Sequence, residues 1–379
     1  MAAERFHRGG YHRVSMAEVA AGVGITAPAL YRHFRSKAEL LDRTVRVGLD
    51  ALADGVRAAG STAGLAAALA AVAVAHRPLG TLVQRDARLL PPARRAALRR
   101  ELRAVVRRMA AVLRAERPGL TAADAELLCR SALSAGAGLS RLSAAPPPRR
   151  AERLLRELLT ALLAVRLDGA GPRLGPAFVP APDPGPAPGG PSRREDLLAA
   201  AVRLFHREGF ENVGTDRLGA AVGISGPSVY RHFDSKARLL AAVLARGRER
   251  LRREVGGAIT GTPGGPERAL AAGLAAYVAF ALRDGGHLGL TLSETERLEP
   301  PDRRAAVDFR REFLRVWVDL LLRMRPEEDT TAARIRVHAL FSLVDDGVRN
   351  GPRDGRPDLG DGLLRLGRVV LGLPQSDPR

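Results

Sequence analysis

VGITAPALYRHFRSKAELL, at Val23–Leu41, recurs as VGISGPSVYRHFDSKARLL at Val222–Leu240. The two copies stay in register, without a gap, back to Phe6 and Phe205. An internal repeat of this kind predicts a duplicated structural unit, and it decides how the rest of the chain is interpreted.

Each copy predicts a helix, a tight turn and a second helix. In the first copy Ser15 is placed as an N-cap, and Glu18 completes a capping box with it. Gly24 stands where that helix should end, and Thr26 where the next one should begin. Pro28 then falls in the first turn of the second helix, where proline is tolerated.

Apolar side chains at helical spacing define the inward face of each copy. We expect Val19 and Val23 to share that face in the first helix. The second copy repeats the plan, with predicted caps at Ser225 and Ser235. The other predicted inward residues are Leu30, Phe34, Leu218, Val222, Ile224, Val229 and Phe233. A short helix, a glycine-containing turn and a second helix with an exposed rim is the arrangement that enters a DNA major groove.

The shared residues G-I-[TS]-x-P-x-[LV]-Y-R-H-F-x-S-K-x-x-L-L, preceded by F-H-R-x-G, resemble a known family. They are similar to the DNA-binding head of TetR/AcrR-type one-component regulators. The resemblance implies an all-α fold of two tandem TetR-like units. Each unit would have a three-helix helix-turn-helix head and a helical-bundle regulatory domain.

The same resemblance implies the DNA contacts. Ala27–Tyr31 and Gly226–Tyr230 would belong to the recognition helices. Tyrosine and lysine would touch phosphates, while the Arg-His pairs would lie at base-edge or backbone positions. The candidate DNA-binding residues are Ser15, Thr26, Ala27, Pro28, Ala29, Tyr31, Arg32, His33 and Lys37 in the first head, and Thr215, Ser225, Gly226, Pro227, Ser228, Tyr230, Arg231, His232 and Lys236 in the second.

Lysine is confined to the two copies. Of 60 lysine and arginine residues, only Lys37 and Lys236 are lysines, and they are repeat partners. Lysine is a compact point charge that binds phosphate without a planar fork, and each one follows a predicted serine cap, where a helix attracts anions. A phosphate contact and simple inheritance from the duplication both explain the pair.

The composition fits a nucleic-acid-binding protein of several domains. The 379 residues are 46% hydrophobic and carry a formal charge of +19, which indicates a polyanionic partner. The arginines of Pro92–Arg117 are interpreted as a solvated helix face rather than as a second DNA site. The single cysteine, Cys129, excludes a disulfide within the chain.

The two copies differ in the helix that precedes them. Arg193–Arg207 predicts a full amphipathic helix, whereas Met1–Arg8 supplies only part of its counterpart. A start codon placed too late and a weakened first head both explain the difference. We favour the first explanation, because the recognition rim of the first copy is otherwise intact.

The remaining chain predicts helices and one linker. Residues 169–191 are rich in proline and glycine and predict a semi-rigid linker. The predicted domains are 1–44 and 192–240 for the heads, and 45–168 and 241–373 for the regulatory and dimerisation regions. The predicted helices beyond the heads are Ser36–Arg57, Thr62–His76, Thr81–Arg88, Pro92–Arg117, Thr121–Arg141, Pro148–Val165, Ser235–Glu254, Pro266–Arg283, His287–Glu294, Pro301–Met324, Thr330–Arg349 and Leu359–Leu371.

The family resemblance also implies how the regulatory regions are used. The last two long helices of each half would form a four-helix dimer interface. Small residues would allow close approach there, namely Ser131, Ala132, Ser134, Ala135, Gly136 and Gly138. A ligand cavity would lie in the second half, lined by Tyr277, Phe280, His287, Phe309, Phe313, Trp317, His338 and Phe341. Ordinary core packing is the alternative for both sets.

The sequence contains no catalytic motif. A G-x-S-x-G elbow, a P-loop and histidine or cysteine clusters at metal-ligand spacing are all missing, so we predict no catalytic residue, metal or cofactor. We expect a cytoplasmic, sequence-specific transcriptional regulator, located at the bacterial nucleoid when it is bound to DNA. A ligand-responsive repressor acting as a covalent pseudo-dimer is favoured.

Its expected partners are a double-stranded operator with an imperfect palindrome and an unknown small-molecule effector. A homodimer of whole chains stays open, and no membrane contact is expected. The alternative is a small-molecule-binding or scaffold protein, in which only the second head binds DNA and the first unit serves dimerisation.

Overall fold

The computed structural model describes residues 1–142, 144, 146–167, 173–174, 193–350 and 357–375, apart from the side chain of Leu292. The helices of the first repeat are α1 (Ala2–Gly9), α2 (Met16–Gly22), α3 (Ala27–His33), α4 (Lys37–Ala58), α5 (Thr62–Ala75), α6 (Pro78–Thr81), α7 (Pro92–Glu116), α8 (Ala122–Ala137) and α9 (Pro148–Leu163). Those of the second repeat are α10 (Arg193–Glu208), α11 (Thr215–Ala220), α12 (Gly226–Val229), α13 (Lys236–Leu251), α14 (Gly257–Gly261), α15 (Pro266–Glu294), α16 (Pro300–Met324), α17 (Thr330–Asn350) and α18 (Leu359–Leu371). No β-strand forms in these ranges, and the fold is all-α, as predicted.

Each repeat begins with a three-helix head followed by a long helix. α1 to α3 form the first head and α10 to α12 the second. Phe6 and its repeat partner Phe205 are both fully buried and anchor the first helix of their heads. The long helices α4 and α13 then lead out of the heads, so the duplicated head and long helix that the sequence predicts are both present.

The described residues form two compact units that do not follow the repeat boundary. The first lies within Met1–Gly171, Glu328–Gly347 and Arg365–Arg379, and the second within Pro172–Glu327 and Val348–Leu364. Most of α17 therefore belongs to the first unit, although by sequence it is part of the second repeat.

The first unit is a helical bundle around aliphatic side chains. α5 packs along α9, and α8 packs against both α7 and α9. The core includes the fully buried Met109, Leu113, Leu128, Leu155 and Leu159. α17 contributes residues that are buried on every face of the helix, as expected for a helix surrounded by neighbours.

The second unit is built around α15. This helix packs on α10, α13, α14 and α16. Its backbone leaves helical geometry at Asp284, with φ −115° and ψ 26°. The kink lies between the predicted helices Pro266–Arg283 and His287–Glu294, which the structure joins into one bent element.

One predicted helix has a different form, and one predicted segment is outside the structure. Thr81–Arg88 was expected to be an α-helix, but it contains a π-helical stretch, Leu82–Asp86, followed by a 3-10 turn, Ala87–Leu89. The π-helical turn follows directly on α6 with no break in the helical dihedrals, which widens the helix instead of ending it. The predicted linker 169–191 lies outside the described residues except for 173–174.

No single helix among the described residues is long and apolar enough to cross a bilayer. The pair Thr62–Ala75 and Pro78–Leu89 reaches the criterion only together, across a bend of 87°.

Candidate nucleic-acid interface

The first head presents a capped helix, a turn and a second capped helix. The backbone N–H of Glu18 donates to Ser15 Oγ at 3.1 Å, and the N–H of Ser15 donates to Glu18 Oε2 at 2.6 Å, so the predicted capping box is confirmed. Gly24 has φ +75°, the left-handed conformation that glycine adopts freely. Thr26 Oγ1 then accepts the N–H of Ala29 at 3.4 Å and caps α3. Local chemistry therefore sets the angle between α2 and α3.

The turn corrects one prediction about the inward face. Val19 is buried, but Val23 is 47% exposed. α2 ends at Gly22, and Val23 is a C-cap with φ −107° and ψ 8°, so it leaves the helical register on which its predicted burial depended.

The predicted rim of the first head lies at the surface. Tyr31 is 51% exposed although its ring is large and apolar. The other exposed candidates are Ser15, Thr26, Pro28, Arg32 and His33, whereas Ala27, Ala29 and Lys37 are partly buried. A helix with a buried Leu30 beneath and these side chains above has the surface that a groove-binding helix needs.

The second head keeps the plan but shortens its second and third helices. α12 has a single helical turn, and Tyr230 follows it with 52% exposure. Pro227, Ser225 and Arg231 are exposed, and Thr215, Ser228 and His232 are partly buried. Gly226 is buried among them, so its candidate contact to DNA would have to come from the backbone.

Ser225 does not cap α12 with its side chain, contrary to the sequence-based prediction. Its hydroxyl lies 2.8 Å from the hydroxyl of Ser228. That hydroxyl in turn accepts from Arg231 at 2.8 Å. The serine is engaged in a surface chain of hydrogen bonds, and Arg231 is held at the rim by it.

Lys236 points toward its own head. Its Nζ donates to the carbonyl oxygens of Phe210 at 2.9 Å and Val213 at 3.1 Å, in the loop between α10 and α11. It also lies 4.4 Å from the centroid of the Phe210 ring, a cation–π distance. Burial lowers the pKa of this ammonium, and Glu294 opposes that shift.

Lys37 repeats the arrangement more loosely. Its Nζ donates to the carbonyl oxygen of His12 at 3.4 Å and lies 4.5 Å from the Tyr11 ring centroid. Burial lowers its pKa, and Glu18 opposes the shift. The sequence analysis did not identify the aromatic partners. Their signal was available, because Tyr11 and Phe210 are repeat partners that each follow a glycine.

The predicted ligand residues are brought together only in part. Tyr277, Phe313 and Trp317 form one ring cluster with centroids 6.2–6.3 Å apart, and Phe309 stacks on Phe313 at 5.7 Å. Phe280 is fully buried elsewhere on α15. These residues belong to the second unit.

Two histidines and Phe341 complete the predicted ligand set. His287 lies beside the kink, with Nδ1 3.6 Å from Asp284 Oδ1. His338 and Phe341 are on α17 and belong to the first unit. In the described part of the chain no three histidine, cysteine or acidic side chains come together as a metal site.

Both heads match one protein family. Residues 1–44 and 197–243 match the family described as "Bacterial regulatory proteins, tetR family". Over 54 residues the chain is 43% identical to the HTH-type transcriptional activator FasR of Mycolicibacterium smegmatis, a match that covers 14% of this chain and 25% of that protein. It is 37% identical over 54 residues to the nucleoid occlusion factor SlmA of Photobacterium profundum, over 14% of this chain and 28% of that protein. The matched region thus spans only about a quarter of these curated relatives.

Solved structures align over about half of the chain. A TetR-family transcriptional regulator from Bordetella parapertussis 12822 aligns with a TM-score of 0.44 and 19% identity, over 48% of this chain and 94% of that one. The ketosteroid transcriptional regulator KstR2 of Mycobacterium tuberculosis aligns with a TM-score of 0.43 and 21% identity, over 48% of this chain and 94% of that one.

Proposed function

We propose that this chain, a TetR-family protein in which the unit is duplicated in tandem, is a ligand-responsive transcriptional repressor that binds DNA as a covalent pseudo-dimer. One observation carries the proposal. Two helix-turn-helix heads that match one family each present an exposed tyrosine rim, with Tyr31 at 51% and Tyr230 at 52% exposure. A hydrophobic core would bury such rings, whereas a surface that binds DNA leaves them exposed for contact with it. We expect the protein to act in the cytoplasm, at the nucleoid.

The recognition helices α3 and α12 would enter successive major grooves. Their Arg-His pairs would reach base edges or the nearby backbone, and the tyrosines would contact phosphates. Because heads paired on DNA bind half-sites about 34–36 Å apart, one chain would cover one operator.

Contacts made by α17 support pairing of the repeats within one chain. Ser134 Oγ on α8 donates to Asp346 Oδ2 at 2.6 Å, and Arg141 pairs with Asp345 at 3.1 Å. Gly138 approaches the backbone of α17 so closely that a Cβ there would lie 2.7 Å from the carbonyl oxygen of His338. These are residues of the predicted four-helix interface, and all of them are in the first unit.

The operator is expected to be an imperfect palindrome. The rim reads Thr26-Ala-Pro-Ala in the first head and Ser225-Gly-Pro-Ser in the second. Only the second head has the chain of hydrogen bonds from Ser225 through Ser228 to Arg231. Different donors at equivalent positions favour different base pairs, so the half-sites should not be interchangeable.

An ion-pair cluster supports the ligand-responsive part of the proposal. Arg250 near the end of α13 pairs with Asp284 at the kink of α15, at 2.9 Å, and Arg283 binds the same carboxylate at 2.8 Å. The aromatic cluster begins at Tyr277, two helical turns before the kink. A ligand that bound better to one bend of α15 would therefore shift the helix that leaves the second head.

The mass of the protein–DNA complex tests the proposal. An operator is first selected from random duplexes, and the complex is then sized by light scattering. One chain per operator with an asymmetric selected sequence is expected. Two chains per operator would mean that units pair between molecules and that the first head is an accessory. Failure to enrich any sequence would reject sequence-specific binding.

A further inference from the structure

α7 carries an exposed arginine face that the DNA-binding heads do not use. Arg99, Arg103 and Arg107 form one i, i+4 row, and Arg100 and Arg108 lie beside it. All five are exposed, and none has a hydrogen bond or an ion pair among the described residues. The opposite side of the helix is buried in the first unit through Leu98, Val105, Val106, Met109 and Leu113.

These arginines do not stabilise the helix that carries them. Like charges at i, i+4 spacing oppose helix formation by about 0.2–0.5 kcal/mol per pair. The acidic residues of α7 are Glu101 and Glu116, and Glu116 is engaged with the backbone N–H of Thr62 at 3.0 Å. The face therefore remains a concentrated positive charge without internal compensation.

The corresponding helix of the second repeat provides an internal comparison. α7 and α16 are both 25 residues long and both end before an Arg-Pro pair. α7 has eight arginines against two glutamates, whereas α16 has six arginines against four acidic residues. On α16 the charges pair along the surface, as in Arg311 with Asp308 at 3.5 Å and Arg315 with Asp319 at 3.6 Å. A general arginine bias of the chain cannot explain this difference.

We propose that this α7 face binds the phosphate backbone of DNA beside the operator, independently of sequence. Guanidinium groups match phosphate oxygens with paired hydrogen bonds, and a rise of 1.5 Å per residue spreads Arg99 to Arg108 over roughly 14 Å. The face begins near the first head, because Arg94 one turn earlier is held to Asp42 of α4 at 2.7 Å. This replaces the interpretation of α7 as a merely solvated helix.

Other partners fit the face less well. An amphipathic helix enters a lipid surface through its apolar side, and that side of α7 is already buried. Protein interfaces have an apolar or aromatic centre from which charge is depleted. Ala104 is the one other exposed residue between Arg99 and Arg108, and no aromatic side chain lies on α7.

The test compares R99Q/R103Q/R107Q with a matched control on α16, R304Q/R311Q/R315Q. The control removes the same charge from three exposed positions of the equivalent helix. Affinity is measured between 50 and 200 mM salt, on three duplexes. One is the minimal operator, one is the operator extended by about two helical turns on each side, and one is a random sequence of that extended length.

On the two long duplexes the α7 variant should lose up to about 2.7 from the slope of log K against log salt, since each phosphate contact contributes about 0.9. The unmodified protein would then weaken about 40-fold more than the variant over this range of salt. The slope should change little for the α7 variant on the minimal operator, and little for the α16 control on any duplex. Thermal unfolding serves as a check on folding, and it should be unchanged or slightly raised in the α7 variant, because repulsion is relieved.

Equal slopes for the two variants on both long duplexes would overturn the inference and leave an acidic protein as the partner to be sought. The use of operator DNA rests on the proposed function, but the random duplex tests the arginine face independently of that function. If no operator is preferred while the random duplex still shows the loss, the arginine face stands and the proposed function fails.

Discussion

Lys236 and Lys37 fasten each head internally. An ammonium group has three N–H bonds, and Lys236 directs two of them at loop carbonyl oxygens while its charge lies over the Phe210 ring. These contacts join the start of α13 to the loop that precedes α11. Such geometry favours a role in positioning the recognition element over the phosphate contact that the sequence suggests.

Replacing Lys236 should therefore weaken DNA binding without changing its salt dependence. Lys236→Gln removes two charge-assisted hydrogen bonds and a cation–π contact, so we expect the free energy of unfolding to fall by about 1–3 kcal/mol. Lys37→Gln should cost less, because its single hydrogen bond is 3.4 Å long. Thermal denaturation and the slope of log K against log salt measure the two effects.

Arg231→Gln is the matched control for charge. Arg231 is an exposed rim residue, so its loss should lower the salt slope by about 0.9, the contribution of one phosphate contact. A slope that falls by the same amount in Lys236→Gln would show that the lysine itself touches phosphate and would reject the positioning role.

His7 makes the first unit sensitive to acid. Burial, with help from Arg77 and Arg85, lowers the pKa of its imidazole to about 4, although Glu4 opposes the shift. The unfolded chain binds the same proton near pH 6.5, so acidification below that value favours unfolding. The stabilisation is complete above pH 6.5 and is lost as the pH falls toward 4.

We expect His7→Gln to flatten this pH dependence. Between pH 7 and pH 5 the free energy of unfolding of the unmodified chain should fall by about 1–2 kcal/mol more than that of the variant, after allowance for solvent screening. Chemical denaturation at each pH measures it. His33 is an exposed histidine on the recognition rim, and His33→Gln should show the same fall in the free energy of unfolding as the unmodified chain. Identical pH profiles for His7→Gln and the unmodified chain would contradict the assignment.

At the scale of single residues, the sequence predicts the contacts that form between near neighbours in the chain. The caps at Ser15, Thr26, Ser36 and Ser235 act within three residues, and all four form. Ser225 fails as a side-chain cap because another hydroxyl competes for it. The partners of the lysines could not be read from the pattern, since they lie 23–26 residues away in the chain.

The two recognition elements differ in how closely their helices pack. In the second head a Cβ at Gly219 would lie 2.6 Å from the carbonyl oxygen of Ile224. The first head carries Ala20 at the equivalent position and buries it. The second head therefore has no room for a methyl group that the first accommodates.

Gly219→Ala should consequently damage the second head alone. The added methyl meets backbone, which cannot move aside without shifting α12, so we expect a loss of about 1–3 kcal/mol in the stability of the second unit. Binding to the half-site of that head should weaken, as measured on operators with one half-site scrambled. Gly256→Ala is the control, since its Cβ would meet nothing within 4 Å.

Gly256→Ala should keep full affinity and gain slightly in stability, because alanine is the better helix former. Equal behaviour of the two variants on both half-sites would mean that the second head tolerates the methyl group and that the heads do not differ in this packing.

Element boundaries were predictable where the pattern and the packing agree. Leu359–Leu371 was predicted with the bounds that α18 has. The break before His287 was also anticipated, but its cause was not. Asp284 is held by Arg250 from another helix, and only the folded chain shows that α15 bends at this residue rather than ending there. His338 and Phe341 were assigned to the ligand site from composition, which cannot tell to which compact unit a helix belongs.

The placement of α17 is the largest feature that no local pattern of the sequence indicates, and only the family resemblance implied an interface for this helix. Its residues Ala332–Asp345 are almost all buried, and its polar groups meet α8 through the Ser134–Asp346 pair and the turn after α8 through the Arg141–Asp345 pair. Breaking one partner of a buried ion pair is costly, so these contacts resist separation once they are formed. They fasten most of a helix of the second repeat within the first unit, and the proposed pseudo-dimer would depend on this contact.

Gly138→Ala tests whether this contact joins the repeats in function. The added Cβ would lie 2.7 Å from the carbonyl oxygen of His338 and 3.0 Å from the Cα of Ala339, so α17 must move away from α8. We expect the free energy of unfolding of the first unit to fall by about 1–3 kcal/mol. Affinity for an operator with both half-sites should fall at least tenfold, because a shift of about 1.4 kcal/mol in the pairing is a factor of ten. Affinity for a single half-site should stay unchanged, since neither recognition helix is touched.

Gly119→Ala is the matched control, because its Cβ would meet nothing within 4 Å and the residue lies just before α8. Equal losses on single and double half-sites would place the damage in a head, and an unchanged affinity for both would show that the repeats do not bind DNA as a pair held by this contact.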